Sequence, residues 1–148
     1  MLPKVFARKT FAFRKAAHIR LGRRGENLAA RLLEELGLEL LVRNYRCAHG
    51  EIDLIARDGN TLCFVEVKTR RRAVRSRPAD AVNWRKRTRL IRTAQRYLRE
   101  IGHPRILYRF DIVEIIFTGR QVSDARYWPG AFTEDKTRMT PRSPFTQV

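Results

Sequence analysis

Three side chains in the middle of the sequence have the types and spacing of a hydrolytic metal site. Asp53 lies in the segment EIDLIAR, and Glu66 and Lys68 lie in the next apolar segment, TLCFVEVKT. The turn signal DGN at 58–60 predicts a hairpin between them, so the two strands are antiparallel neighbours. Opposed Cβ atoms of such strands are about 4.5–5.5 Å apart, so Asp53 and Glu66 can share a cation. Lys68 shares the face of Glu66 because strand side chains alternate.

These residue types favour one class of chemistry. Two carboxylates without an imidazole or thiolate favour Mg²⁺ or Mn²⁺ as the cofactor. Such an ion can activate water and neutralise a phosphate, while a nearby lysine positions the water or stabilises developing negative charge. The set therefore predicts phosphodiester hydrolysis. The alternative is a solvated edge strand on which Glu66 and Lys68 form an ordinary ion pair.

The flanking segments predict an α/β fold. GENLAARLLEELG has the apolar spacing of a helix, on which Glu26 points toward the body of the domain. Strict alternation places Ile52 and Leu54 on one face of the first hairpin strand and Glu51, Asp53 and Ile55 on the other. A second helix is predicted over roughly Ala81 to Ile101, and LYRFDIVEIIF reads as a final buried strand. The expected architecture is a mixed β-sheet flanked by helices, in the order α-β-β-β-α-β.

The chain is predicted to contain one domain, over residues 21–128. The opening residues 1–20 contain no acid and are expected to form a basic N-terminal arm, with a transit peptide as the alternative. Residues 129–148 contain prolines and many hydroxyl side chains without periodicity, which predicts a disordered tail. No apolar run approaches the roughly 20 residues that span a bilayer, so no membrane partner is expected. Two cysteines without a secretory signal favour a cytoplasmic protein, with association with the nucleoid left open.

The charge indicates a polyanionic partner. Lys and Arg number 32 against 15 Asp and Glu, which gives a net charge of +17. This excess favours nucleic acid, with DNA preferred and RNA as the alternative. The residues predicted to contact phosphates are Arg46, Arg70, Arg71, Arg72, Arg85, Lys86, Arg89 and Arg92. Trp84 and Tyr97 could stack on bases, but packing in the core is the preferred interpretation.

The same segments carry a family resemblance. GEIDLIARDGNTLCFVEVKTR resembles the core of the PD-(D/E)XK superfamily, the restriction-endonuclease-like and Holliday-junction-resolvase-like nucleases. More closely, GENLAARLLEELG, RNYRC, GEIDLIARDG, FVEVKTR and RFDIVEI, in this order, resemble the small bacterial YraN-like family of that group. The match covers roughly Gly22 to Ile116. One departure is Ile52, which stands where the superfamily has a proline before the first acid.

The resemblance implies roles for individual residues. Asp53 and Glu66 would bind the metal, with the Val67 carbonyl as a further ligand, and Lys68 would be the catalytic lysine. Glu26 matches the helical acid of the resolvase-like branch and would complete the site directly or through water.

Two further acids are candidates for a supporting role. Glu51 shares the face of Asp53 and could support the site from its wetter, outer position. Asp111 in RFDIVEI resembles a family position, although a buried ion pair with Arg109 is the preferred interpretation.

Two functions follow as hypotheses. The leading one is a metal-dependent endonuclease that acts on DNA, with branched or structured DNA as a candidate substrate. The alternative is a non-catalytic DNA- or RNA-binding module that retains the nuclease fold. A homodimer, which would present two sites to two strands, is compatible with either.

Overall fold

The computed structural model describes residues 21–71 and 82–134, and all structural statements below concern these residues. The elements are α1 (Leu21–Glu35), β1 (Glu39–Cys47), β2 (Gly50–Asp58), β3 (Thr61–Arg70), α2 (Trp84–Glu100), β4 (Leu107–Thr118) and β5 (Gln121–Phe132). The predicted N-terminal arm, most of the predicted tail and Arg72 lie outside the described residues. No helix in the described ranges is long and apolar enough to cross a bilayer.

The five strands form one mixed sheet in the order β1-β2-β3-β4-β5. All neighbouring strands are antiparallel except β3 and β4, which are parallel and are connected through α2. This arrangement confirms the predicted α/β class with a mixed sheet flanked by helices. It adds a strand that was not predicted, β5, so the expected boundary at residue 128 falls inside a strand. The strand was not predicted because it contains Pro129 and Gly130, and proline and glycine are rare in strand interiors.

Two apolar cores lie on opposite faces of the sheet. The core on the α1 side contains Leu28, Leu32, Leu33, Leu54, Val65, Val113, Ile115 and Phe117. The core on the α2 side contains Ile52, Ile55, Phe64, Leu90, Ile91, Leu98, Phe110 and Ile112. The alternation predicted for β3 is confirmed, because Cys63 and Val65 pack toward α1 while Phe64 packs toward α2.

The alternation predicted for β2 is wrong at one point. Ile52 does not share a face with Leu54, because Leu54 packs toward α1 whereas Ile52 packs toward α2 together with Ile55. The change of face falls beside Asn44 of β1, between the pairs Arg43–Leu54 and Tyr45–Ile52. Asn44 of β1 has a positive φ of 51°, a conformation that asparagine tolerates better than most residues. The β2–β3 pairing ends with Leu54 opposite Val65, so the two strands separate at the next residue of β2, which is Asp53.

The two aromatic residues with uncertain roles occupy different environments. Tyr97 packs as expected, with its ring edge-on to Tyr45 and Phe64 at centroid distances of 5.2 and 6.0 Å. The preferred interpretation of Trp84 as a core residue is wrong, because 68% of its surface is exposed at the start of α2. Helical periodicity did not place it reliably, since it lies at the first residue of the helix.

Candidate active site

The carboxylate of Asp53 lies at the point where β2 and β3 separate. Its Oδ2 accepts a hydrogen bond of 2.7 Å from the backbone N–H of Val67. A side chain thus satisfies a strand N–H that has no backbone partner in β2 at this position. The bond fixes the half-buried carboxylate beside the segment of β3 that carries Glu66 and Lys68.

Glu66 is a buried acid in contact with two lysines. Its side chain lies on the α2 face of β3 and the residue is only 6% exposed. Lys68 Nζ lies 3.3 Å from Glu66 Oε1, and Lys86 Nζ of α2 contacts the same oxygen. A buried carboxylate is stable only when it is paired or hydrogen-bonded, so the two ammonium groups account for the burial of Glu66. Lys68 and Glu66 lie side by side, as the alternation predicted.

The surroundings of Asp53 disfavour the charged form of its carboxyl group. The pKa of Asp53 is raised to about 7, mainly by burial and secondly by the negative charge of Glu66. The hydrogen bond from Val67 and the charge of Lys86 act in the opposite direction, while the charge of Glu26 adds to the increase. A carboxylate with a raised pKa among other acids is typical of functional sites.

The two lysines respond to the same crowding in opposite ways. Burial, together with the neighbouring ammonium of Lys86, lowers the pKa of Lys68. Burial alone would lower the pKa of Lys86, but its contact with Glu66 outweighs burial and raises the pKa of Lys86 overall. Lys68 is therefore the lysine whose proton is more readily released.

Helix α1 brings Glu26 toward this cluster through a close contact with β3. A Cβ at Gly25 would lie 2.2 Å from Thr69 Oγ1, so only glycine fits here without a shift of one of the two residues. On the next helical residues, Glu26 is half-buried and Asn27 Oδ1 accepts a hydrogen bond of 2.8 Å from Arg43 of β1. Glu26 is close enough for its charge to act on Asp53, which agrees with the predicted orientation of this acid.

Lys86 belongs to the cluster rather than to the open basic surface on which the sequence placed it. Asn83 caps α2, and its Oδ1 accepts a hydrogen bond of 3.0 Å from the backbone N–H of Lys86. Lys86 lies one helical turn before the buried Leu90, so its side chain leaves the helix on the side that faces the sheet. This i, i+4 relation to the apolar stripe was the signal in the sequence that could have identified Lys86.

The two acids expected in supporting roles lie away from the cluster. Glu51 is exposed and forms a surface ion pair of 3.1 Å with Arg46. Asp111 is fully buried and accepts hydrogen bonds from Tyr127 Oη at 2.5 Å, Gly130 N at 2.8 Å and Arg109 Nε at 3.0 Å. This geometry confirms the preferred interpretation of Asp111 as a buried ion pair, which here joins β4 to β5.

The predicted phosphate-binding residues differ in exposure, and one exposed member, Arg46, is paired with Glu51. The exposed residues are Arg46, Arg71, Arg85, Arg89 and Arg92. Arg70 is largely buried, and its Nε lies 2.9 Å from Glu114 Oε1 on β4. Glu114 is fully buried and also lies 3.5 Å from Arg126 Nη1 of β5. Sequence reasoning did not single out Glu114, and the row of charges across β3, β4 and β5 holds Arg70 against the sheet.

A hard divalent cation fits the donor set of the cluster. Asp53 and Glu66 supply carboxylate oxygens, and Val67 supplies a nearby backbone carbonyl, which are ligand types that Mg²⁺ and Mn²⁺ accept. The raised pKa of Asp53 marks negative charge that such a cation would neutralise. Within the described part of the chain, no three His, Cys, Asp or Glu side chains are grouped closely enough to hold a metal by themselves.

Comparison with known proteins places the cluster inside the region that defines a family. The model of the uncharacterised protein family UPF0102 matches residues 25–115, a range that contains Glu26, Asp53, Glu66, Lys68 and Lys86. A UPF0102 protein of Nocardia farcinica (strain IFM 10152) is 50% identical over 98 residues, which is 66% of this chain and 77% of the relative. A UPF0102 protein of Parafrankia sp. (strain EAN1pec) is 51% identical over 96 residues, covering 65% and 81%. One of Caldicellulosiruptor saccharolyticus is 43% identical over 95 residues, covering 64% and 80%.

Proposed function

The chain belongs to the uncharacterised protein family UPF0102, and we propose that it is a divalent-metal-dependent endonuclease of the PD-(D/E)XK superfamily. Its substrate would be DNA, with branched or structured DNA preferred over regular duplex. The observation that carries this proposal is the cluster at the point where β2 and β3 separate. There Asp53 is held by the Val67 N–H, beside the buried Glu66 and its lysines.

Asp53, Glu66 and the Val67 carbonyl would hold the metal. When bound, Mg²⁺ or Mn²⁺ supplies Lewis-acid chemistry that activates water and neutralises the scissile phosphate. Asp53 suits this role because its carboxylate is fixed by the Val67 N–H, and a cation there would stabilise the charged form that burial and Glu66 disfavour. Glu26, which acts electrostatically on Asp53, would complete the site directly or through water.

The lysines of the cluster have separate roles in the proposal. Lys68 has a lowered pKa and lies beside Glu66, so it can orient the attacking water and exchange a proton with it. Lys86 keeps its charge through its contact with Glu66, so it can stabilise negative charge on the phosphate.

The exposed arginines of α2 support DNA as the partner. Arg85, Arg89 and Arg92 lie on the same helix as Lys86 and are exposed along one stripe of it, so they can contact phosphates of a bound strand. Arg70 is not assigned to this surface, because its guanidinium is paired with the buried Glu114.

A second candidate function is a non-catalytic nucleic-acid-binding module. The contact of both Lys68 and Lys86 with one oxygen of Glu66 favours it, since two ammonium groups already neutralise this acid without a metal. This function predicts salt-sensitive binding to DNA or RNA that does not depend on the carboxylates.

The test is a cleavage assay with end-labelled duplex, single-stranded, flap and four-way-junction DNA in Mg²⁺ or Mn²⁺. We expect cleavage that EDTA abolishes and that Glu66→Gln and Lys68→Met each reduce by about 10²-fold or more. Glu51→Gln is the matched control, because it neutralises an exposed acid that is paired with Arg46 outside the cluster. Absence of cleavage on every substrate, or cleavage that both cluster variants retain, would refute the proposal.

A further inference from the structure

Trp84 is a large exposed apolar side chain in the helical turn that carries Lys86 of the cluster. It is the first residue of α2, and 68% of its surface is exposed although the guanidinium of Arg85 lies over its ring, 5.4 Å from the ring centroid. Tryptophan is usually well buried in folded proteins, because its ring contributes a large apolar area. An exposed indole in contact with an arginine therefore suggests a binding partner that contacts both side chains.

The position of Trp84 on the helix relates it to the cluster. Trp84 and Lys86 are two residues apart in the first turn of α2, which corresponds to about 3 Å along the helix axis. Residues with this spacing project from nearly opposite sides of a helix. Lys86 points inward to Glu66, and the exposed Trp84 lies on the outer side of the same turn. The two faces of one helical turn thus present a charge to the cluster and a flat aromatic ring to solvent.

The charge around Trp84 selects the chemistry of the partner. Arg85 lies over the indole ring, and Arg89 is exposed one turn further along α2. A nucleic acid strand suits this surface, because it combines negative charge for the arginines with flat aromatic bases for the indole ring. A lipid surface offers the negative charge but no aromatic ring, and an acidic peptide offers aromatic rings only sparsely.

We propose that Trp84 stacks on an unpaired base of DNA beside the cluster and thereby selects substrates that contain unpaired nucleotides. Inside an intact duplex both faces of every base are covered by neighbouring base pairs, so an indole ring cannot reach them without disrupting the stack. A flap, a gap or the branch point of a junction offers free base faces. This inference rests on the proposed function, and it deepens that function by naming the structural feature of the substrate that the protein recognises.

The stacking predicts a selective effect on binding. Loss of one base–aromatic stack typically weakens single-strand binding by about 5- to 100-fold. Phosphate contacts made by the arginines are shared by all DNA structures, so removal of Trp84 should leave binding to a blunt duplex nearly unchanged.

The experiment measures binding by fluorescence anisotropy in EDTA, so that no metal-dependent cleavage occurs. Labelled blunt duplex, flap and single-stranded DNA of matched length are titrated with the wild-type protein, Trp84→Ala and Trp84→Phe. Leu107→Ala is the control, because it removes another exposed apolar side chain, 54% exposed, at the start of β4. We expect Trp84→Ala to lose about 5- to 100-fold in affinity for flap and single strand. Trp84→Phe should retain most of this affinity, and Leu107→Ala should match the wild type.

A second readout uses tryptophan fluorescence. Single-stranded DNA should quench the fluorescence of the wild-type protein, and this quenching should disappear in Trp84→Phe, in which Trp128 is the remaining tryptophan. The stacking would be overturned if Trp84→Ala lost the same affinity for blunt duplex as for single strand, or lost no affinity for either. Tighter Trp84-dependent binding of a matched RNA strand would overturn the assignment to DNA.

The two proposals fail in different ways. Trp84-dependent binding without any cleavage would refute the nuclease and leave the stacking intact. Cleavage of flap DNA with unchanged binding by Trp84→Ala would refute the stacking and leave the nuclease intact.

Discussion

Replacing Asp53 with asparagine should stabilise the protein at neutral and higher pH. The asparagine amide would keep an oxygen that accepts the hydrogen bond from the Val67 N–H, which measures 2.7 Å in the wild type. The substitution would remove a negative charge that burial and Glu66 both disfavour, as the pKa of about 7 shows. Residues of functional sites often lower the stability of the folded protein, which is a common trade-off between stability and activity.

The size and sign of the effect follow from proton binding. The ordinary pKa of this carboxyl is 3.8, and the difference from about 7 sets an upper limit of about 4 kcal/mol on how much Asp53→Asn can raise the free energy of unfolding. Because Asp53 is only half-buried, we expect about 1–3 kcal/mol. Between these two pKa values the folded state holds a proton that the unfolded state releases, so the contribution of Asp53 to wild-type stability falls as pH rises. The advantage of Asp53→Asn should be small near the lower pKa and complete above the higher one.

The assay is urea denaturation of both proteins in EDTA at about pH 5, between the two pKa values, and at about pH 8, above both of them. Glu51→Gln, two residues away on β2, is the matched control, because Glu51 is exposed and paired with Arg46. The control should change the free energy of unfolding by less than about 1 kcal/mol. An Asp53→Asn variant that is less stable than the wild type at pH 8, or equally shifted at both pH values, would refute the electrostatic reasoning.

Two further predictions concern the supports of the site. Gly25→Ala should lower the free energy of unfolding by about 1–3 kcal/mol, because the new Cβ would lie 2.2 Å from Thr69 Oγ1. Gly22→Ala in the same helix meets nothing within 4 Å and should be neutral or stabilising by up to about 1 kcal/mol, so equal thermal midpoints for the two variants would contradict this. Asp111→Ala should cost about 3–5 kcal/mol, because it removes a buried carboxylate that pairs with Arg109 and accepts hydrogen bonds from Tyr127 Oη and Gly130 N, although Arg109 keeps its pair with Asp58. A midpoint of urea denaturation within experimental error of the wild type would show that the buried pair contributes little.

Local patterns were sufficient to predict the centre of the fold. The DGN turn and the alternation in TLCFVEVKT predicted a hairpin whose second strand carries Glu66 and Lys68 on one face, and the 3.3 Å contact between them agrees. Both signals depend on neighbours in sequence, for which the two-residue period of a strand is reliable. The position of Asp53 beside them was also expected, although the mechanism that places it there was not.

Features that depend on tertiary contacts could not be read from those patterns. The alternation of β2 breaks beside the positive-φ residue Asn44 of β1, so that Ile52 lies on the α2 side, and no residue type in EIDLIAR indicates this change. Strand β5 was hidden because Pro129 and Gly130 are unusual in strands and are tolerated only at an edge. The buried Glu114 depends on partners from two other strands, Arg70 and Arg126, whose pairing appears only once the sheet order is known.

The metal site itself is tested most directly by crystals grown with Mn²⁺ and measured at the manganese absorption edge. We expect an anomalous peak in contact with the carboxylates of Asp53 and Glu66, accompanied by withdrawal of Lys86 Nζ from Glu66 Oε1, which it contacts here. The peak should be absent from crystals of Asp53→Asn treated in the same way. A map without a peak between the two acids at millimolar Mn²⁺, with Lys86 still bound to Glu66, would contradict the proposed metal site.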